Sequence, residues 1–287
     1  MLCPACNCPV YPWRPNVYVC RSCGTSTRNG GGEIALPDEY YASYYEDVAT
    51  LSQPTQIRLE EWGRTLERYR DIGRVLEVGC GAGHFLETVK VRGFEPWGTE
   101  VSDSAFKLLQ NRGFRVLKGD LLSHSLPSSH FDAVVLFEVI EHLENPSEYL
   151  AECRRLLRQG GVLLLTTPNF KSLSRRLLKD RWRVLQPEHR VVFSSRGIFR
   201  VLERVGLTVI SVSSRSIDPF EVFRAFRGRP VTGGKDRQLK LDAFRSALTS
   251  RPLLRGMKKL TDGLLGFLKI GDTLVVWAER EKDGQPS

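Results

Sequence analysis

From Arg74 onward the chain alternates between short apolar runs and longer amphipathic stretches. RVLEVG, PWGTEV, RVLKGDLL, FDAVVLF and VLLLTTP, starting at residues 74, 96, 115, 131 and 162, are the apolar runs. Runs of this length, bounded by Gly, Pro or polar clusters, read as buried strands. Between them FLETVKVRG, DSAFKLLQNRG and NPSEYLAECRRLLRQGG place apolar residues three and four apart, the helical period. Strands alternating with helices specify an α/β fold with a doubly wound, mostly parallel sheet. GDTLVVWAER (271–280) reads as a last strand, set apart from the others by a basic insertion at 217–262.

Upstream, DEYYASYYEDVATLSQPTQIRLEEWGRTLERYRDI reads as two helices split at Gln53-Pro54, and Tyr40, Tyr41, Tyr44 and Tyr45 form a stripe expected to pack. The run NGGG (29–32) reads as a flexible linker. The expected organisation is therefore a small N-terminal unit (1–28), linker and helices (29–70), the α/β core (71–216), a helical insertion acting as a lid (217–265), and the last strand with its tail (266–287).

Composition adds two points. At 41% hydrophobic and 26% charged, the 287 residues describe an ordinary globular chain, and no apolar run approaches the ~20 residues of a transmembrane helix. MLCPACNCPV has no basic region followed by an apolar stretch, so no signal peptide is expected and a cytoplasmic location is. The net charge of +9 is uneven: residues 171–260 hold 22 Lys and Arg against 7 Asp and Glu, and the rest is mildly acidic. Such asymmetry points to an anionic partner at 171–260, or simply to solvated Arg-rich helices.

Five of the seven cysteines lie in the first 23 residues. Cys3-x-x-Cys6 and Cys20-x-x-Cys23, separated by 13 residues, have the spacing of two knuckles that converge on one Zn2+. A segment this short has almost no core, so the metal would supply its folding energy. With all four positions filled, the expectation is a structural zinc ribbon. Cys8 lies near but breaks the spacing.

The most informative stretch is VLEVGCGAGHFLE (75–87), where a strand ends and Gly79, Gly81 and Gly83 follow at every second position. Bare backbone at the carboxyl end of the first strand permits close approach of a nucleotide-like ligand. Dinucleotide binders use G-x-G-x-x-G; here the spacing is G-x-G-x-G, and Glu77 would repel a phosphate. Glu100 closes the next strand, where an acid can accept from ribose hydroxyls, and Asp120 follows the third, where an acid can accept from an adenine amine. An amino-acid end, a ribose and an adenine without phosphate describe S-adenosylmethionine.

Taken in order, EVGCGAG (77–83), Glu100, Gly119-Asp120, FDAVVLFEVIEHL and LLRQGGVLLLTTPN resemble the class I S-adenosylmethionine-dependent methyltransferases. The likeness is greatest to the branch with ubiquinone-biosynthesis O-methyltransferases and tailoring enzymes for sugars and natural products. It covers roughly 40–216 and 271–280. It implies a seven-stranded Rossmann-like sheet whose last strand is antiparallel. It also implies that Gly79, Cys80, Gly81 and Gly83 pass under the methionine and ribose, with Glu77 near the amino group. Glu100 would hold the ribose, Val101 the adenine face, Asp120 and Leu121 the adenine edge, and Phe137 would close the pocket.

The acceptor is less legible. Phe137-Glu138-Val139-Ile140 stands where methylases of planar amino nitrogens typically carry Asn- or Asp-Pro-Pro-aromatic, and Cys153 sits in an apolar helix, away from any nucleophile role. Glu138, Glu141 and His142 form the E-x-x-E-H pattern that, by the same resemblance, suggests a divalent-cation site; the favoured reading is that Glu141-His142 braces the loop before an Asn145-Pro146 helix start, with Glu148 in a capping box. His189, in QPEHRVVFSS, resembles the histidine that branch members carry before the Phe-Ser of the next helix, which makes it the expected general base, with a structural histidine as its rival. The favoured reading is an O-methyltransferase for a small-molecule or glycan acceptor, phosphorylated or lipid-linked. RNA methylation using the ribbon and the basic helices, and a non-enzymatic adaptor, are the alternatives; the basic segment has few aromatics interleaved for base stacking.

Overall fold

The computed structural model describes residues 1–29, 51, 53–69, 73–182, 184–216, 263 and 265–281. The tyrosine stripe, the glycine linker beyond Asn29 and nearly all of the basic insertion lie outside these residues.

Three strands come first: β1 (Val10–Arg14), β2 (Val17–Cys20) and β3 (Ser26–Arg28). Helix α1 (Gln53–Tyr69) leads into β4 (Arg74–Val78), α2 (His84–Lys90), β5 (Glu95–Glu100), α3 (Asp103–Asn111) and β6 (Arg115–Lys118). The second half runs β7 (Phe131–Phe137), α4 (Pro146–Leu156), β8 (Leu157–Pro168), α5 (Leu173–Leu178), β9 (Val191–Val192), α6 (Ser195–Arg204), β10 (Thr208–Arg215) and β11 (Thr273–Glu279). The large sheet has the order β10-β11-β8-β7-β4-β5-β6. It is parallel from β6 to β8, and β11 runs antiparallel to both its neighbours. The expected α/β sheet of seven strands with an antiparallel last strand is what forms. Strand order reverses between β4 and β7, and ligands of such sheets bind outside the carboxyl ends of the strands at that point.

Both faces of the central strands β4, β7, β8 and β11 are buried, which is why these strands are largely apolar runs. Leu76, Val134, Leu136, Leu163, Leu165 and Val276 pack on one side with Leu150 of α4 and Val201 of α6. Val75, Val135, Leu164 and Val275 pack on the other with Trp62 and Leu66 of α1 and Phe85 of α2.

One expected element ends early. Helical spacing was read through residue 161, yet α4 stops at Leu156 and Leu157 pairs with Phe131 in the sheet. The cause comes from the far end of the chain: Arg280 Nη1 donates to the carbonyls of Arg154, Arg155 and Leu157 at 3.2, 3.3 and 2.7 Å, satisfying the orphan acceptors of the helix end. The capping box at the other end does not form. Pro146 occupies the first turn as expected, but the Asn145 side chain caps nothing.

The N-terminal strands do not stand apart from the core. They form a second antiparallel sheet, β1-β2-β3-β9, in which β3 pairs with β9 through Ser26↔Val192 and Thr27↔Val191. Ser194 Oγ, which caps α6 by accepting from Gly197, donates to the Cys23 carbonyl at 2.5 Å. Arg204 reaches the Pro4 carbonyl at 2.7 Å and Arg28 the Leu185 carbonyl at 3.2 Å. Cys3, Ala5, Cys20 and Cys23 are buried in the same apolar cluster as α4 and α6.

Candidate active site

The loop after β4 is pinned by backbone alone. Gly79 and Cys80 N–H both donate to the Thr99 carbonyl, at 2.9 and 3.0 Å, and Gly81 N–H donates to Glu100 Oε2 at 2.7 Å. Gly79, Gly81 and Gly83 have φ of 67°, 52° and 75°, the left-handed region that favours glycine. A Cβ on Gly83 would also strike Leu109. Gly83→Ala is therefore expected to cost about 1–3 kcal/mol of stability and to weaken nucleoside binding, checked by denaturant unfolding beside ligand titration.

The carboxylates around this loop are arranged for a ligand with a cationic end. Glu77 is 5% exposed, and its Oε2 is buried without a hydrogen-bond partner. Burial, and then the nearby Glu100 charge, push its carboxyl well above the usual range. A buried acceptor left unsatisfied is costly, so this atom is waiting for a donor. Glu100, raised by burial, accepts from Gly81 and from Ser102 N–H (2.8 Å), and each oxygen keeps a lone pair for a ribose hydroxyl. Val101 at the strand end is half exposed. Asp120 accepts from Leu122 N–H at 2.7 Å and from the Tyr149 hydroxyl, and Leu121 is buried beneath it. These residues fit S-adenosylmethionine.

Two of the expected residues are also packed into the core. Cys80 packs its side chain with Leu86, Leu109 and Phe114, so only its backbone faces the loop; burial pushes its thiol upward. Phe137 stacks on Trp62 (ring centroids 4.5 Å apart, 15°) and meets Phe85 edge-on at 5.0 Å, which binds it into the core between α1 and α2.

The turn after β7 lies against the glycine loop, since a Cβ on Gly79 would approach Val139 Cγ2 to 2.9 Å. Beyond Val139 a single 3-10 turn carries Glu141 inward, where Oε2 accepts from the Thr167 hydroxyl at 3.0 Å. Burial first, and then the charge of Glu138, raise Glu141 well above the carboxylate range. His142 Nδ1 donates to the Glu188 carbonyl at 3.1 Å, and His189 Nδ1 to the Val184 carbonyl at 2.7 Å. The two rings meet edge-on at 4.7 Å. Burial, then the charge of His142, lower His189 to about 4, so it is neutral at physiological pH. With each Nδ1 anchored as a donor, each Nε2 presents a lone pair, the tautomer a metal ligand needs.

The converging set is therefore Glu141, His142 and His189, whose ligand atoms all lie within 4.8 Å of one another. This corrects the grouping read from the E-x-x-E-H pattern. Glu138 sits at φ 53°, donates its own N–H to the Thr166 carbonyl, and hydrogen-bonds the Glu141 carboxyl from outside the set. His189 takes the third place because Arg190 N–H donates to the Glu141 carbonyl at 2.7 Å, drawing a distant segment onto the turn. Thr167 and Val139, which orient this site, had no signal in the sequence beyond apolar or β-branched character.

In the small sheet Cys3, Cys6, Cys20 and Cys23 converge, all four Sγ within 4.8 Å. Cys3–Cys23 and Cys6–Cys20 are 3.6 and 3.5 Å apart. Sulfurs bonded to one tetrahedral zinc at about 2.3 Å stand about 3.8 Å apart, so the set fits that ion. Cys8 is outside it. The hydrogen bond between Cys3 and Cys23 pulls the Cys23 thiol down and pushes the Cys3 thiol up, the pair sharing one proton. Among the described residues no helix is long and apolar enough to cross a membrane.

The comparisons agree with this fold. A family model described as a methyltransferase domain matches residues 54–212. A probable S-adenosylmethionine-dependent methyltransferase of Mycolicibacterium smegmatis is 33% identical over 144 residues, 49% of this chain and 54% of that one. A ubiquinone biosynthesis O-methyltransferase of Dechloromonas aromatica is 35% identical over 104 residues, 33% of this chain and 44% of that one. The chain thus spans about half the length of these curated relatives. A crystal structure of a SAM-dependent methyltransferase from Archaeoglobus fulgidus shares the fold, with a TM-score of 0.56 at 21% identity over 84% of this chain and 99% of that one. With the family model covering more than half of its residues, the chain belongs to the class I S-adenosylmethionine-dependent methyltransferases.

Proposed function

We propose that the protein methylates a hydroxyl oxygen of a small-molecule or saccharide acceptor. A divalent cation is held by Glu141, His142 and His189, and a structural zinc by Cys3, Cys6, Cys20 and Cys23. The observation that carries this reading is the convergence of Glu141, His142 and His189, the first two on the turn that follows Val139, whose side chain lies against Gly79 of the glycine loop. S-adenosylmethionine, when bound, supplies the methyl group from its sulfonium; a divalent cation, when bound, lowers the pKa of a hydroxyl at neutral pH.

The chain's own residues do the rest. Gly79, Gly81 and Gly83 let the ligand lie on backbone, Glu77 accepts from its amino group, and Glu100 fixes the ribose, so that nucleophile, methyl and sulfur are aligned. His189 at about 4 is too weak a base to deprotonate an alcohol unaided, which favours a ligand role over the base role expected of it. Glu138, just after β7, has its carboxyl raised by burial and is the group assigned to take the hydroxyl proton.

His189→Ala and Glu141→Gln should each lower methyl uptake from labelled S-adenosylmethionine into a small-molecule extract by about a hundredfold. Affinity for S-adenosylmethionine should stay unchanged in both. Full uptake by His189→Ala would sink the assignment.

A further inference from the structure

Asp120, the residue assigned to the adenine edge, is held in place from two directions. It follows β6 through Gly119, whose N–H donates to the Glu100 carbonyl at 2.8 Å, so it is tied to the residue assigned to the ribose. Its side chain caps the 3-10 turn Leu121–Ser123, with Oδ1 accepting from Leu122 N–H at 2.7 Å. The Ser123 hydroxyl closes the turn by donating to the Asp120 carbonyl at 2.6 Å. These bonds are local to the loop.

The other bond comes from across the sheet. The Tyr149 hydroxyl, on α4, donates to Asp120 Oδ2. Strand β6 is an edge of the sheet and α4 leads from β7 to β8, so this bond spans the point where the strand order reverses. The Tyr149 ring is partly buried against the same apolar cluster as Val139 and Leu143, which flank the Glu141–His142 turn. A hydroxyl whose ring is held by packing is delivered to one place, and it fixes the plane of the carboxylate it bonds.

This arrangement bears on the choice of base. A carboxylate has about four lone-pair sites. Leu122 takes one on Oδ1 and Tyr149 one on Oδ2, so both oxygens keep capacity to accept. An ionised carboxylate accepts and cannot donate. A 6-amino purine offers it an N–H, whereas a 6-oxo purine turns a carbonyl oxygen toward it and is repelled. An aspartate able to swing aside would tolerate either base; one pinned through both oxygens would not.

We propose that Tyr149 is the positioning residue that makes this pocket selective for a 6-amino purine, acting through Asp120. The role rests on the S-adenosylmethionine reading and adds to it the group that enforces the base. It also puts base selection on the helix that follows the Glu141–His142 turn, so one element serves both ends of the site.

Calorimetric titration of the full zinc-loaded chain compares S-adenosylhomocysteine with S-inosylhomocysteine, which differ only in the 6-substituent of the purine. The wild type should prefer the adenosine compound by about a hundredfold or more. Tyr149→Phe keeps the ring and its packing and should cut that preference about tenfold, mainly by weakening the adenosine compound. Asp120→Asn supplies an amide that can turn its NH2 toward a carbonyl, and should cut the preference further; adding Tyr149→Phe to it should change little more. Glu77→Gln, at the amino-acid end, should weaken both compounds alike and leave the preference intact, the pattern of a loss that ignores the base. An unchanged preference in Tyr149→Phe, whether both affinities fall together or neither moves, would overturn the role and leave Tyr149 a packing residue. Binding of neither compound by the wild type would overturn it together with the cofactor reading, a result distinct from an unchanged preference.

Discussion

Removing the zinc, or replacing Cys20 by Ser, is expected to lower stability by about 3 kcal/mol or more, on the order of 10 °C in melting temperature for a domain of this size. Cys20 is completely buried and belongs to the same apolar cluster as α4 and α6, so the loss is not confined to a surface knuckle. Opening the ribbon frees β3 from β9, releases the Arg28 bonds to the 185–186 backbone, and exposes Trp13 and Phe170. Those contacts brace the segment carrying His189. Hydrogen exchange should therefore rise at Val191 and Val192 when zinc is removed, before global unfolding. Metal analysis should give one zinc per chain in the wild type and none in the variant. Unchanged melting and exchange on metal removal would show that the four thiols hold nothing.

Glu77→Gln is expected to separate binding from stability. The unpartnered Oε2 is the acceptor proposed for the ligand's amino group, and a charge-assisted bond of this kind contributes about 1.5–3 kcal/mol. The variant should lose roughly ten- to a hundredfold in S-adenosylmethionine affinity. The apo variant should nevertheless be more stable than the wild type at neutral and alkaline pH. Because the folded Glu77 carboxyl titrates above its unfolded value, its favourable contribution is fully present below the unfolded value and is lost as pH rises through the folded one. Glutamine carries no such loss, so the two stability curves should converge in acid and part as pH rises. Parallel curves would contradict the burial of an ionising Glu77; unchanged affinity would contradict its place in the site.

Much of this was legible because it is local. Alternating apolar residues gave the strands, the glycine spacing gave the cofactor loop, and two C-x-x-C knuckles gave a cluster whose members are neighbours in a short segment. What was illegible depends on contacts between distant segments. Nothing near Leu156 announces that Arg280 will end its helix. Nothing near His189 announces that Arg190 will bond to Glu141, which is what exchanges His189 for Glu138 in the candidate cation site. Cys80 stands in the cofactor motif, yet whether its side chain faced ligand or core depended on Gly98 of the next strand, which leaves room for its sulfur. Charge counting left an anionic partner or merely solvated Arg-rich helices open for 171–260, and residues 217–260 of that stretch lie outside the described residues.

The most direct test is to incubate the protein with methyl-labelled S-adenosylmethionine and an extract separated into RNA, protein and small-molecule or glycan fractions, and to find which fraction takes up label. Label in the small-molecule or glycan fraction, lost with His189→Ala, is the predicted result. Label in RNA, retained by that variant, would contradict it.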